Sequence, residues 1–184
     1  MTKAEIRERV KLARTLLTPA ISQAHSVAIS KTVAQMAEFV RAKRIALYLA
    51  LPGEVSAGHL LRRCLSADKK IALPCHVNGE WGFSWMTSEV FVPGPLNTRQ
   101  PHTIVPASPD EMDLLLIPCV AVDPACGRIG HGKGIYDRLL RDTKTPAIGI
   151  AFDFQVFESV PMEPHDRRLD KVVTERRVFV RKPA

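Results

Sequence analysis

The sequence predicts an α/β fold of three layers, an α/β/α sandwich with a mainly parallel sheet, as in Rossmann-like domains. Short runs that are almost wholly apolar alternate along the chain with segments of helical periodicity. Continuous apolar runs are typical of strands buried on both faces, and strands that alternate with helices form parallel sheets. We expect one domain over residues 1–184, because no repeat or low-complexity linker divides the chain.

Helical patterns come first. Residues 3–17 place four apolar side chains on one helical face, namely Ile6, Val10, Ala13 and Leu17. Thr18-Pro19 is a helix start, with threonine as the N-cap and proline at the first helical position. This second helix is expected to run to about Val40. Its inward face would comprise Val33, Met36, Ala37 and Val40.

Three strands and a third helix follow. RIALYLA (44–50) and KKIALPCHV (69–77) predict buried strands, and between them Ser56 is expected to cap a helix that ends at Leu65. WGFSWMT (81–87) alternates as a half-exposed strand does. Residues 88–112 hold five prolines and little periodicity, so a long surface excursion is expected.

The second half of the chain continues the alternation. DLLLIPCVAV (113–122) predicts the central strand, and a helix is expected from about Ile135 to Arg141. PAIGIAF (146–152) reads as a strand, QVFES (155–159) as a short helix, and Lys171 to Thr174 as a late strand. Ligands of such sheets bind beyond the carboxyl ends of the strands.

A glycine-rich stretch follows the central strand. DPACGRIGHGKGIYDR (123–138) holds four glycines within eight residues, with Arg128, His131 and Lys133 between them. A P-loop is excluded because Gly134 replaces the hydroxyl residue after Lys133, and the dinucleotide fingerprint fails because Ile135 replaces its third glycine. The remaining pattern is a strand, a turn and a helix N-terminus, whose amides favour an anion. With two cations added, it predicts phosphate binding rather than an ordinary turn.

The charge and the cysteine content limit the kinds of partner that can be expected. The net charge of +7 suits a nucleic acid or a small anion, but the cations are spread along the chain without stacking aromatics, so no nucleic acid is expected. Lys3, Arg7 and Arg14 project within about 40° of one another on the first helix. They form either a solvated flank or a stripe that leans over the ligand edge. The four cysteines lack metal-site spacing, so reduced thiols are expected.

No run approaches the ~20 apolar residues of a membrane span, and the charged N-terminus does not look like a secretory signal. We therefore expect a cytoplasmic monomer that has no contact with a membrane.

Together these features resemble the 5-formyltetrahydrofolate cyclo-ligase (methenyltetrahydrofolate synthetase) family. The blocks that carry the resemblance are Lys3 with Arg7, IALYLALPGEVS, LLLIPCVAVDPACGRIGHGKGIYDRLL and PAIGIAFDFQVFESVPMEPHDRRLDKVVTE. The resemblance implies an enzyme that uses Mg-ATP to convert 5-formyltetrahydrofolate to 5,10-methenyltetrahydrofolate, ADP and phosphate. In that reaction the formyl oxygen is phosphorylated, N10 attacks the activated carbon, and phosphate leaves.

The resemblance also implies site residues. ATP would contact Lys3, Ala4, Glu5, Ile6, Arg7, Arg128, Ile129, Gly130, His131, Gly132, Lys133, Gly134, Ile135 and Tyr136, and the catalytic residues would be Arg128, Lys133 and Tyr136. Asp137 and Asp166 would bind Mg²⁺. Leu49 and Glu54 would bind the substrate, with the Glu54 carboxylate pairing with N–H donors of the pterin ring.

For some other residues the sequence is compatible with two roles. Phe83 and Trp85 either stack on a ring of the substrate or belong to the core, and His165 lies either at the metal site or on the surface. Ile135 stands where the family usually has an aromatic residue, so a phenol at that position is not expected. The alternatives are a sugar-phosphate isomerase or CoA transferase relative that needs no ATP, and a basic nucleic-acid-binding module.

Overall fold

The computed structural model describes residues 1–164 and 166–182. The helices are α1 (Lys3–Arg14), α2 (Pro19–Gln35), α3 (Ala37–Arg41), α4 (Gly58–Ser66) and α5 (Ile135–Leu140). The strands are β1 (Arg44–Ala46), β2 (Lys70–Val77), β3 (Glu80–Trp85), β4 (Phe91–Pro93), β5 (Arg99–Pro101), β6 (Pro106–Ala107), β7 (Leu114–Pro118), β8 (Ala121–Val122), β9 (Arg128–Ile129), β10 (Ala147–Ile150), β11 (Lys171–Val173) and β12 (Val178–Val180). Within the described ranges, no helix is long and apolar enough to cross a membrane.

An eight-stranded sheet has the order β12-β11-β10-β7-β1-β2-β3-β6. The five strands from β11 to β2 are parallel to their neighbours. The strands β12, β3 and β6 join the two ends of this parallel centre in antiparallel fashion. The predicted class, a mainly parallel α/β sheet, is confirmed.

The central strand β7 shows why the apolar runs are continuous. Leu114 and Leu116 pack on one face with α2, α3 and α4, while Leu115 and Ile117 pack on the other with α5. Each of these four side chains is at most 1% exposed, and such burial contributes about 1.5–3 kcal/mol per side chain. Helices therefore cover both faces, as the three-layer prediction requires.

Helix α1 packs on neither face of the sheet. Its Ile6 and Val10 pack against Val120, Ala121 and Ile129, where strands β8 and β9 form a small antiparallel hairpin. The N-terminal helix therefore lies directly on the segment that leads into the glycine-rich stretch.

The second predicted helix is interrupted, and the inward face predicted for its end is partly wrong. Met36 is extended (ψ 139°), so α2 ends at Gln35 and α3 begins one residue later. The break rotates the chain so that Phe39 is buried, whereas Val40 is 61% exposed and Ala37 is also exposed. Val33 lies in the core as predicted.

Two further predictions are corrected. The expected strand 113–122 is divided at Cys119 and Val120, because the buried Gln155 side-chain amide donates hydrogen bonds to both of their carbonyl groups (2.8 and 2.7 Å). For the same reason QVFES is not a helix; a single 3₁₀ turn, Asp153–Gln155, ends at the residue where the helix was expected to start.

The excursion 88–112 is more ordered than expected. Strands β4 and β5 form a hairpin whose turn holds Leu96 and Asn97 at positive φ. The Gln100 side chain docks this hairpin on β2, since it accepts a hydrogen bond from the backbone N–H of His76 (3.0 Å) and donates one to its carbonyl (3.4 Å). The hairpin is thereby fixed beside the carboxyl end of β2.

Candidate active site

A cleft opens beyond the carboxyl ends of β7, β1 and β2, and its volume is about 900 Å³ including the mouth. Its walls come from the start of α1, the segment after β1, the hairpin β4–β5 and the glycine-rich stretch. The lining residues are Lys3, Arg7, Tyr48, Leu49, Leu51, Glu54, Pro74, Trp81, Thr98, Arg99, Pro118, Arg128 to Asp137, and Asp166. Concave clefts at this edge of a parallel sheet are a common place for small-molecule binding.

Arg128 is held inside the fold rather than on a loop. It belongs to β9 and pairs with Val122, so only 6% of the residue is exposed. The turn before it is fixed by the buried Asp123, whose carboxylate accepts hydrogen bonds from the backbone N–H groups of Gly127 (2.7 Å) and Val160 (3.0 Å). The sequence alone predicted a direct strand-to-turn step here and missed the hairpin.

Only part of the Arg128 guanidinium has a bonding partner. It forms an ion pair with Asp137 and lies 5.9 Å from the centre of the Tyr136 ring. Its Nε is buried and has no hydrogen-bond partner among the described residues. A buried unpaired donor is costly, at about 1–3 kcal/mol, and the residue that carries it lines the cleft.

The glycines after Arg128 are required by the backbone and by α1. Gly132 (φ +90°) and Gly134 (φ +64°) adopt conformations that side chains disfavour. A methyl group on Gly132 would lie 3.3 Å from the guanidinium carbon of Arg7, whose Nε donates a hydrogen bond to the Gly130 carbonyl (2.8 Å). Helix α5 has only six residues, so the loop itself, rather than a helix dipole, forms this wall.

Lys3 brings a second cation to the cleft. Its ammonium lies 2.6 Å from a carboxylate oxygen of Asp166 and 2.9 Å from one of Glu163. Burial acts to lower the pKa of Lys3, but the hydrogen bonds and charges of the two carboxylates raise it overall, so the side chain stays charged. Lys133 is exposed at the mouth of the cleft.

Glu54 marks the part of the cleft beside β1. Its buried carboxylate accepts a hydrogen bond from the backbone N–H of Leu51 (2.9 Å) and lies 2.9 Å from Nε2 of His131. Leu49 lines the wall next to it. The family resemblance implied that Glu54 and His131 are both site residues. Nothing in the sequence indicated that their side chains are in contact.

Two tyrosines in the cleft are held as neutral phenols. Burial raises the pKa of Tyr48 and of Tyr136 well above the ordinary value, and the charge of Glu54 adds to both shifts. Tyr48 donates its hydroxyl hydrogen to the carbonyl of Val55 (2.7 Å). At neutral pH the Tyr136 phenol can therefore donate a hydrogen bond but does not act as a base.

The third member of the cationic stripe, Arg14, lies behind the cleft. Its side chain packs so closely against Gly53 that a methyl group there would lie 2.9 Å from Cδ of Arg14. Burial lowers the pKa of Arg14, and the charge of Glu54 opposes that shift. Two nitrogens of its guanidinium are buried without partners among the described residues. Lys3 and Arg7 of the stripe therefore line the cleft, and Arg14 packs behind it, so the stripe is not a solvated flank.

Asp137 and Asp166 offer carboxylates to a divalent cation. Both line the cleft, and each is paired with a cation, Asp137 with Arg128 and Asp166 with Lys3. No cluster of three or more acidic, histidine or cysteine side chains occurs in the described part of the chain. Mg²⁺ is usually bound by one or two protein carboxylates and takes its remaining ligands from phosphates and water, so these two carboxylates fit a Mg²⁺ site. His165, the other residue considered for this site, lies outside the described residues.

Some residues expected at the site point elsewhere. Ala4 does not line the cleft, Glu5 accepts a hydrogen bond from the Thr2 backbone N–H (2.7 Å) in a capping box, and Ile6 is in the core. Phe83 is buried and Trp85 packs beside it, so both belong to the core.

The cleft aromatics that the sequence missed are Tyr48 and Trp81, and Trp81 lies near the start of the same strand as Phe83 and Trp85. The period-two pattern does place Trp81 on the same face as the other two. What the pattern does not give is that the cleft begins at this end of the strand.

The free cysteines take no part. All four are buried, and burial raises the pKa of Cys119 to about 12. Such thiols are inert at neutral pH.

The chain is similar to known proteins along most of its length. The model of the 5-formyltetrahydrofolate cyclo-ligase family matches residues 1–175. A 5-formyltetrahydrofolate cyclo-ligase of Escherichia coli K12 is 29% identical over 185 residues, which cover 95% of this chain and 98% of the relative. One from Saccharomyces cerevisiae is 26% identical and covers 94% of both chains.

The fold is also similar to solved structures of proteins with related names. The 5,10-methenyltetrahydrofolate synthetase of Aquifex aeolicus superposes with a TM-score of 0.89 at 31% identity, over 100% of this chain and 95% of the other. That of Mycoplasma pneumoniae superposes with a TM-score of 0.77 at 25% identity, over 95% of this chain and 99% of the other.

Proposed function

Because the chain belongs to the 5-formyltetrahydrofolate cyclo-ligase family, we propose that it converts 5-formyltetrahydrofolate to 5,10-methenyltetrahydrofolate with consumption of ATP and release of ADP and phosphate. The family is a family of ligases that use ATP as co-substrate. The proposal assigns both substrates to the cleft and gives each a set of residues.

The observation that supports this assignment most strongly is Arg128, a buried cation that lines the cleft and has an unpaired N–H donor among the described residues. Lys3 and Arg7 reach the same region from α1, and Lys133 from the glycine loop. Four cations around one loop match the charge of a triphosphate. We assign the phosphates to this end, against the backbone of residues 130–134.

The folate substrate is assigned to the part of the cleft beside β1 and β2. Glu54 is a buried carboxylate, and it complements the N–H donors of a pterin ring. Leu49 and Trp81 supply the apolar surface that the rings need. The two assigned parts of the cleft are adjacent, because Glu54 lies 2.9 Å from His131 of the glycine loop, so this arrangement brings the two substrates together.

The chemistry then follows from charge. The formyl oxygen is a poor leaving group until the γ-phosphoryl group has been transferred to it. N10 next attacks the activated carbon, loses its proton, and expels phosphate as the ring closes. The protein has little covalent work to do: it aligns the two substrates and stabilises the negative charge that moves during transfer.

Individual residues serve those tasks. Arg128 and Lys133 neutralise phosphoryl oxygens, and the neutral phenol of Tyr136 donates a hydrogen bond. Asp137 and Asp166 would hold Mg²⁺, which when bound supplies positive charge to the phosphates. Arg128 and Lys3, which now pair with Asp137 and Asp166, would then pair with phosphate oxygens instead. A cytoplasmic monomer with two small-molecule substrates and no nucleic-acid partner is the simplest form of this proposal.

A spectroscopic assay tests the function. Methenyltetrahydrofolate absorbs in the near ultraviolet where 5-formyltetrahydrofolate does not, so purified protein is mixed with 5-formyltetrahydrofolate and magnesium, with and without ATP. We expect absorbance to rise only with ATP, in step with ADP release. No rise, or an equal rise without ATP, would contradict the proposal.

A further inference from the structure

We propose that Arg99, at the start of β5, binds a carboxylate of the glutamate end of the folate substrate. The inference rests on the proposed function and assigns a residue that the sequence gave no reason to select. It follows from the position of Arg99 in the cleft, the way it is held, and the charges that remain to be matched.

The order of the strands separates Arg99 from the phosphate end. Going across the sheet, β7 leads to the hairpin with Arg128, β1 leads to Glu54, β2 contributes Pro74, and β3 contributes Trp81. The hairpin β4–β5 is docked on β2, two strands away from β7. Arg99 therefore lies on the β2 side of the cleft, whereas Arg128 lies on the β7 side.

The backbone of Arg99 is fixed, while its charge is unmatched. Gln100 binds both backbone groups of His76, so the next residue along β5 anchors the strand. The Arg99 guanidinium lies 6.0 Å from the centre of the Phe91 ring on the paired strand. Arg99 forms no ion pair with any residue that the structure describes. It is a positioned, solvent-accessible cation in the cleft wall.

The chemistry of the substrate supplies the partner. Beyond its pterin ring, 5-formyltetrahydrofolate carries an aminobenzoyl group and then a glutamate with two carboxylates. Lys3, Arg7, Arg128 and Lys133 are assigned to the triphosphate, and His131 contacts Glu54. Among the described cleft-lining residues, Arg99 is the cation that remains unassigned, and the planar fork of an arginine matches a carboxylate.

The test crosses two changes, one in the protein and one in the substrate. Arg99→Ala, Arg99→Lys and the control Arg63→Ala, an exposed arginine of α4 outside the cleft, are assayed with saturating Mg-ATP. Each is given 5-formyltetrahydrofolate and 5-formyltetrahydropteroate, which lacks glutamate. Thermal unfolding of every variant is recorded, because a folded Arg99→Ala protein is needed for the comparison.

For the glutamate-bearing substrate, we expect Arg99→Ala to raise KM by about 10- to 100-fold, the size of a charge-assisted hydrogen bond. The KM for ATP should not change. For the pteroate, Arg99→Ala and the wild type should have equal KM. Arg99→Lys should fall between them, because it keeps the charge without the fork, and Arg63→Ala should match the wild type.

Three results would overturn the inference: an equal defect of Arg99→Ala on both folates, a raised KM for ATP, or no defect at all. If the wild type does not turn over, the proposed function fails separately. Equilibrium binding of the two folates, followed by calorimetry, then decides on Arg99 by itself. Equal affinity of wild type and Arg99→Ala for 5-formyltetrahydrofolate would end the inference in that case.

Discussion

Replacing Gln155 with leucine removes a side chain that stabilises three buried backbone groups at once. The Gln155 side chain accepts a hydrogen bond from the Phe152 N–H (2.8 Å) and donates to the carbonyls of Cys119 (2.8 Å) and Val120 (2.7 Å). Gln155 is fully buried, so water does not take its place. These bonds hold the bend between β7 and β8, and β8 pairs with the strand that carries Arg128.

The magnitude follows from those three groups. A buried polar group left without a partner costs about 1–3 kcal/mol, while burial of the leucine side chain returns about 1.5–3 kcal/mol. At the middle of these ranges, three unpaired groups less one buried leucine give a net loss of about 4 kcal/mol in the free energy of unfolding. For a chain of 184 residues, this corresponds to a fall in Tm of about 8 °C at least, since 1 kcal/mol shifts Tm by about 2–4 °C at this size.

Circular dichroism during heating measures the effect, with urea unfolding to give the free energy directly. Gln35→Leu is the control, because Gln35 is an exposed residue at the end of α2 and the substitution makes the same chemical change. It should leave Tm nearly unchanged. A Gln155→Leu protein as stable as the wild type would refute the reasoning, since it would mean that the three backbone groups find other partners.

Three predictions concern the site. Arg128→Ala should raise the KM for ATP by about 10- to 100-fold and Lys133→Ala by less, because Lys133 is exposed; wild-type KM values for both in steady-state assays would remove the loop from the nucleotide site. Asp137→Asn should raise the magnesium concentration that gives half-maximal rate, whereas Asp142→Asn, an exposed control at the end of α5, should not; identical magnesium titrations would remove Asp137 from the metal shell. Glu54→Gln should raise the KM for 5-formyltetrahydrofolate about 10-fold or more, and a defect confined to ATP would contradict its assignment to the pterin.

The parts of the fold that could be predicted are those with a clear local pattern of apolar residues. Strands β7 and β10 are apolar throughout because helices cover both of their faces, and the sequence shows this directly. The edge strand β12 was missed, since it has three residues and lies among arginines. The segment after Phe152 has apolar residues at helical spacing, but Gln155 uses its amide to cap another strand instead.

The candidate site divides in the same way. The loop of residues 128–137 is continuous in sequence, so its glycines and charges could be seen together. Arg99 could not be placed, because its position depends on how Gln100 docks the hairpin on His76. Trp81 could be placed on a strand, but no local pattern shows which end of that strand meets the cleft. Likewise, no local pattern shows that α1 packs on the hairpin β8–β9 and so carries Lys3 and Arg7 to the cleft.

The central claim is that the triphosphate binds against the glycine loop beside Arg128. A crystal structure of the protein with magnesium and a non-hydrolysable ATP analogue tests it most directly. We expect the phosphates to lie against the backbone of residues 130–134, with Arg128 turned from Asp137 to a phosphate oxygen. A nucleotide bound elsewhere, or a loop with no phosphate in a crystal soaked at saturating nucleotide, would contradict it.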